Sequence, residues 1–138
     1  MVKLRKPAGK QLLEEWKLYY EQFVSDVEID TEEDPSEKIK RKARLENDNE
    51  AWFRYYFPSY CTAPAADFHK AATRRLFANR RWYEVRAWSR ELAKSARSMM
   101  EVLKLALTGQ VHNMLLVSNS FDNACRLLLP FMLQLEKN

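Results

Sequence analysis

At 138 residues the chain is long enough for one domain with its own core and too short for most complete nucleotide-driven motors. A hydrophobic content of 46%, with 12% aromatic residues, excludes wholesale disorder, and no uninterrupted apolar run approaches the length that crosses a bilayer. The net charge of +4 suits a phosphate-rich partner without requiring one, while the presence of only two glycines, Gly9 and Gly109, excludes dinucleotide-binding and kinase-type glycine loops.

The opening MVKLRKPAGKQLLEEW has no apolar core followed by a small-residue cleavage site, so an intracellular, soluble protein is expected. Cys61 and Cys125 lack a C-x-x-C spacing and read as free thiols; His69 and His112 are isolated, and no structural zinc is expected. Residues 10–27 place Leu12, Leu13, Trp16, Tyr19, Tyr20, Phe23, Val24 and Val27 at spacings of three and four, the pattern of an amphipathic helix. Seven acidic residues from Asp26 to Glu37 then mark a solvated linker. A basic helix follows, carrying Lys38, Lys40, Arg41, Lys42 and Arg44, with Ser36 as N-cap and Glu37 in the first turn. That basic run fits either a solvated face or a nucleic-acid contact. Asp48 caps a short helix with Trp52, Phe53, Tyr55, Tyr56 and Phe57, a core-forming cluster stopped by Pro58. After a loop from Cys61 to Pro64, helical spacing resumes through Phe68, Ala72 and Leu76 and ends near Asn79. Residues 1–81 thus form a helical N-terminal segment with an acidic linker near 26–37.

At Trp82 the period changes. Residues 82–88, WYEVRAW, are aromatic and β-branched and alternate at Tyr83, Val85 and Ala87, which predicts a strand. The loop Ser89–Ala93 leads into a buried helix over Lys94–Leu107 with Ala96, Met99, Met100, Leu103, Leu105, Ala106 and Leu107, closed by Gly109. Residues 113–118, NMLLVS, are a continuous apolar run, as expected of a parallel strand covered on both faces. Ser120 caps a last helix with Asp122 in its first turn and Ala124, Leu127, Leu128, Phe131 and Leu135 on its inner face; Pro130 predicts a kink or break near Leu127 to Leu129. Strand, loop, helix, strand, helix over 82–138 predicts a right-handed βαβ unit. The expected fold is therefore α/β, the first two strands of a P-loop NTPase-like parallel sheet preceded by a mainly helical segment.

A strand that ends in a loop closing on Lys94-Ser95, where a helix starts, is the setting of a phosphate-binding P-loop. The standard G-x-x-x-x-G-K-[ST] has glycine where this chain has Ser89 and Ala93. In this reading the N–H groups of Leu92 to Ser95 face the phosphate oxygens, Lys94 reaches the β- and γ-phosphates, and the Ser95 hydroxyl ligates Mg²⁺. The Cβ of Ala93 narrows both the dihedral freedom and the approach to phosphate.

SRELAKS, with YYFPSY, the Phe68-His69 helix and LLVSNSFDNA, resembles the N-terminal ATPase region of phage terminase large subunits. Those motors carry a variant loop of the form S-R-x-x-G/A-K-S/T, and Ser89, Arg90, Ala93, Lys94 and Ser95 match it; the similarity spans roughly Trp52 to Asn138. The resemblance implies nucleotide binding by Ser89, Arg90, Glu91, Leu92, Ala93, Lys94 and Ser95, ATP and Mg²⁺ as cofactors, and Arg90 as a cis arginine finger. For the full-length protein it implies an oligomeric motor in the cytoplasm of a phage-infected or prophage-carrying bacterium. Such a motor packages double-stranded DNA with a small terminase subunit and a portal and carries a C-terminal nuclease domain. No apolar strand ending in Asp-Glu follows Ser95, and neither Asp122 nor Glu136 stands at such a strand end. This chain alone is therefore expected to bind nucleotide weakly without turning it over. A different class remains open beside it: a mostly helical adaptor or nucleic-acid-binding module in which Lys94-Ser95 is incidental.

Overall fold

A computed structural model describes residues 32–79, 81 and 83–137, together with Glu14 and Leu18. The amphipathic helix expected over 10–27 lies outside the described residues apart from those two, which are both helical. Two compact units are formed, one from Val27–Asn113 and the other from Met1–Asp26 with Met114–Asn138.

In the first unit, α1 (Pro35–Asn47) starts one residue before the expected cap. Asp34, not Ser36, is the N-cap: its carboxylate accepts the Ser36 N–H at 3.0 Å, and Pro35 takes the first helical position, where no N–H is needed. The hydrogen bond from Ser36 holds the Asp34 carboxyl below its usual range. Asp48 ends α1 and caps α2 (Asn49–Tyr56), accepting from the N–H groups of Glu50 and Ala51 at 3.0 Å each. A 3₁₀ turn over Pro58–Tyr60 follows. The expected aromatic core is present, with Trp52, Phe53 and Phe57 buried and Trp52 packed on Phe53 and Phe57 at ring separations of 5.7 and 5.5 Å.

α3 (Asp67–Ala78) buries Ala72 and Thr73, and α4 (Lys94–Leu107) buries Met99, Met100 and Leu103. Three charged residues of α4 are buried with them: Arg97, Glu101 and Lys104. Lys104 resolves a problem that every helix junction poses, the unpaired carbonyls and amides at helix ends. Its Nζ donates to the Glu46 carbonyl at 3.0 Å and to Asn49 Oδ1 at 2.7 Å, so one ammonium joins the end of α1 to the start of α2. Burial pulls its pKa below the usual lysine value, opposed by Asp48, Glu46 and Glu50.

The expected parallel sheet is absent: among the described residues there are no strands, and the architecture is helical. Residues 83–89 form no regular secondary structure, so the expected strand does not form there. The physical reason is the inward face. Glu84, Arg86 and Trp88 point toward the helices, while Tyr83 (88% exposed), Val85 (73%) and Ala87 point to solvent. Side-chain ion pairs to α3 and α4, and no ladder, hold the segment in place. Residues 113–118 likewise form no strand, and Leu115 and Val117 are exposed.

In the second unit, α5 (Phe121–Lys137) begins as expected, with Ser120 Oγ accepting the Asn123 N–H at 3.3 Å. It runs through Pro130 without a break. The buried residues are Leu129, Phe131, Leu133 and Gln134, whereas Leu127, Leu128 and Leu135 are exposed, so only Phe131 of the expected large inner residues is buried. None of the described helices is long and apolar enough to cross a membrane.

α4 offers a direct check of which face is buried. Leu103 is 1% exposed and Leu107 60%. Leu103→Ala should lower the unfolding free energy in urea by about 2–5 kcal/mol, and Leu107→Ala by under about 0.5 kcal/mol; equal effects would place the core elsewhere.

Candidate phosphate-binding loop

The loop is held by the charged cluster beneath it. Arg97 donates from both terminal nitrogens to the Glu50 carboxylate and from Nε to Thr73 Oγ1 at 2.9 Å. Thr73 Oγ1 also donates to Glu101, whose other oxygen lies 2.6 Å from Arg86 Nη1. Arg86 in turn pairs with Glu84 at 3.0 Å, and Arg75 approaches Glu84 at 3.7 Å. Three arginines face three glutamates, so the cluster is neutral. Burial disfavours the Arg86 charge, but Glu101 and Glu84 outweigh this and raise its pKa. The cluster joins α2, α3 and α4 to the segment that leads into the loop.

Trp88 ends that segment, its ring 5.1 Å from both Phe68 and His69 and beneath the Arg86 guanidinium at 5.2 Å. Ser89 to Ala93 then turn the chain into α4. Glu91 (φ 67°) and Ala93 (φ 50°) are the non-glycine residues with left-handed backbone among the described residues. Both fall in this one loop. A non-glycine residue in that region costs about 1–2 kcal/mol and persists where surrounding contacts enforce it. The contacts here are specific: His69 Nε2 meets the Leu92 carbonyl at 3.0 Å, and the Ala93 carbonyl accepts the Arg97 N–H at 2.8 Å.

The start of α4 differs from the other helix starts among the described residues. α1, α2, α3 and α5 each have an acidic residue in the first turn, Glu37, Glu50, Asp67 and Asp122. α4 has none, and its N-cap, Ala93, offers no side-chain acceptor. Its first turn thus carries no acidic residue and no side-chain cap, although Glu91 lies just before it in the loop. Lys94 and Ser95 stand there exposed, with Lys94 Nζ 3.5 Å from the Trp88 carbonyl. Ser89, Arg90, Glu91 and Leu92 are exposed on the same loop, so the sequence-predicted residues share one surface.

Beside the loop lies an open cavity of about 290 Å³ within the first unit. It is lined by Glu91, Leu92 and Ala93 of the loop, by Tyr60, Cys61 and residues 62–65, and by Glu50, Arg54 and Arg97. The volume sits at the low end of small-molecule sites, about 300–1,000 Å³. Neither this cavity nor the roles of His69, Trp88 and the buried cluster follow from local sequence pattern. The one local signal was Arg97 and Glu101, polar residues four apart on the apolar face of α4. Among the described residues no three His, Cys, Asp or Glu side chains gather into a metal site, so an Mg²⁺ here would depend on Ser95 and on the phosphates themselves.

The basic run of α1 is largely spent on intramolecular pairs: Lys40 with Glu37 at 2.8 Å, Lys42 with Glu46 at 3.8 Å, and Arg41 with Glu33 and, at 2.6 Å, the Tyr55 hydroxyl. Comparison of the chain with protein-family models, curated proteins and solved structures gave no match.

Strain and burial at the site have measurable consequences. Ala93→Gly removes about 1–2 kcal/mol of left-handed strain against about 0.5–1 kcal/mol of glycine entropy, so it should leave stability unchanged or slightly raised, whereas β-branched Ala93→Val should lower it by more than 1 kcal/mol. Loss of stability in Ala93→Gly would contradict the loop geometry. Burial pushes the Cys61 thiol pKa up. Since the thiolate is the nucleophile, iodoacetamide should alkylate Cys61 in the folded protein more slowly than glutathione at the same pH, and a faster rate would contradict its partial burial.

Proposed function

We propose that this chain binds the phosphates of ATP at the loop Ser89–Ser95, as part of a terminase large subunit of a DNA-packaging motor. The observation that carries this reading is the backbone of the loop. Two enforced left-handed residues, Glu91 and Ala93, deliver the chain into an uncapped, acid-free helix start bearing an exposed lysine and serine. A helix start of that kind favours an anion, and a loop strained to present it is more often functional than incidental. Ala93 adopts a left-handed conformation that glycine takes more readily, although the strand that leads into a standard P-loop is absent among the described residues.

In this reading Lys94 provides a mobile positive charge to the β- and γ-phosphates, and Ser95 Oγ a ligand for Mg²⁺. The metal supplies charge neutralisation on the phosphate oxygens. Arg90, which is exposed on the loop, would act on the terminal phosphate as an arginine finger in this reading. The adjoining cavity, bordered by Tyr60 and Cys61, is the space available to the base and ribose. In the full-length motor, ATP hydrolysis would drive double-stranded DNA into a capsid, together with a small terminase subunit and a portal. The competing adaptor reading expects a mostly helical chain, as observed among the described residues, and Lys40, Arg41 and Lys42 of its basic run pair with carboxylates.

Isothermal calorimetry with MgATP tests the proposal. Heat of binding is expected for the wild type, about tenfold weaker affinity for Lys94→Ala, and unchanged or tighter binding for Ala93→Gly. Identical heats for wild type and Lys94→Ala, or none for either, would remove the loop from consideration.

A further inference from the structure

We infer that His69 is a positioning residue for the phosphate loop, setting its shape through the Leu92 carbonyl; this rests on the loop being the phosphate site.

His69 lies at the third position of α3, where a side chain can reach back to the N-cap backbone. Its Nδ1 accepts the Ala66 N–H at 3.2 Å. A ring nitrogen that accepts from a backbone N–H carries no proton, so in the neutral ring the proton is on Nε2. Nε2 lies 3.0 Å from the Leu92 carbonyl and donates to it. The ring is held between these two bonds by Phe68 at 4.1 Å and Trp88 at 5.1 Å. The backbone of α3 thereby selects the tautomer that ties down the loop.

The consequence follows from peptide geometry. The Leu92–Ala93 peptide is trans, so its C=O and N–H point in opposite directions. Turning the Leu92 carbonyl onto His69 directs the Ala93 N–H away from it. The tether sits between the two left-handed residues, Glu91 and Ala93. It therefore contributes directly to holding the strained backbone, and it fixes the Ala93 amide, which immediately precedes that of Lys94. The loop is gripped at both ends by one ring, through Trp88 by packing and through Leu92 by hydrogen bonding.

Two substitutions separate this role from simple capping of α3. His69→Gln keeps both functions: its carbonyl oxygen can accept from Ala66 and its NH₂ can donate to Leu92. His69→Glu keeps only the first, because an ionised carboxylate accepts and cannot donate, and it meets the Leu92 carbonyl with repulsion. Amide hydrogen exchange and MgATP calorimetry at pH 7.5 are the readouts. In His69→Glu, exchange at residues 90–95 should accelerate at least tenfold and MgATP affinity fall about tenfold, with exchange at Leu103 unchanged. His69→Gln should restore both toward wild type. Equal behaviour of the Glu and Gln variants in loop exchange would overturn the inference, since capping of α3 alone predicts that result. Faster loop exchange in His69→Glu with unchanged affinity, while Lys94→Ala still weakens binding, would also overturn it. Absence of MgATP binding by the wild type would instead overturn the proposed function, and the loop-exchange comparison of Glu with Gln would still decide whether His69 sets the loop.

Discussion

The arrangement of the first unit depends on the buried guanidinium of Arg97. It is 4% exposed, and it binds Glu50 of α2, Thr73 of α3 and Glu101 of its own helix. Burying such charges costs several kcal/mol per ion, which pairing only partly returns, so the cluster is not where net stability comes from. Its effect is on arrangement. Any rotation of α2, α3 or α4 that separated one partner would leave an unpaired charge in the interior, a far larger penalty than repacking Leu103 or Met100. The aromatic and aliphatic core supplies the driving force, and the ion pairs select which packing that force produces.

From that constraint the loop follows. Glu101 reaches Arg86, and Arg86 covers Trp88, so the point at which the preceding segment gives way to the loop is set by the same cluster. At the other end the Ala93 carbonyl accepts the backbone N–H of Arg97, the first hydrogen bond of α4. Between two fixed ends only a few residues are available to reverse the chain into α4, and the left-handed dihedrals at Glu91 and Ala93 are how the distance is closed. Strain, exposed amides and exposed lysine are thus consequences of one buried network. A phosphate oxygen at the start of α4 would provide the negative charge that the carboxylates of the first turn provide in the other helices.

What was legible in the sequence was what depends on near neighbours. Asp48 and Ser120 cap helices because each can bond an amide two or three residues on, and α2, α3 and α4 follow the spacing of their apolar residues. The two-residue alternation over 83–88 was also legible, and exposure alternates there. Pairing of that segment was not, because pairing is a long-range property, and the same alternation serves a segment anchored by Glu84 and Arg86 to helices. The charged inward positions were the available clue against a covered strand. Ser36 was displaced as N-cap by Asp34 because Pro35 fits the first helical position with no N–H to satisfy. His69 looked isolated because its loop partner is 23 residues away.

The proposal that rests most on this arrangement is that a phosphate anion is received at the loop Ser89–Ser95. Titrating ¹⁵N-labelled protein with MgATP, and separately with inorganic triphosphate, while following backbone amide shifts would test it most directly. The account predicts that both ligands shift the amides of residues 91–96, and that only MgATP also shifts residues lining the cavity such as Cys61 and Thr62. Shifts confined to the basic residues of α1, or no response from Ala93, Lys94 and Ser95, would contradict it.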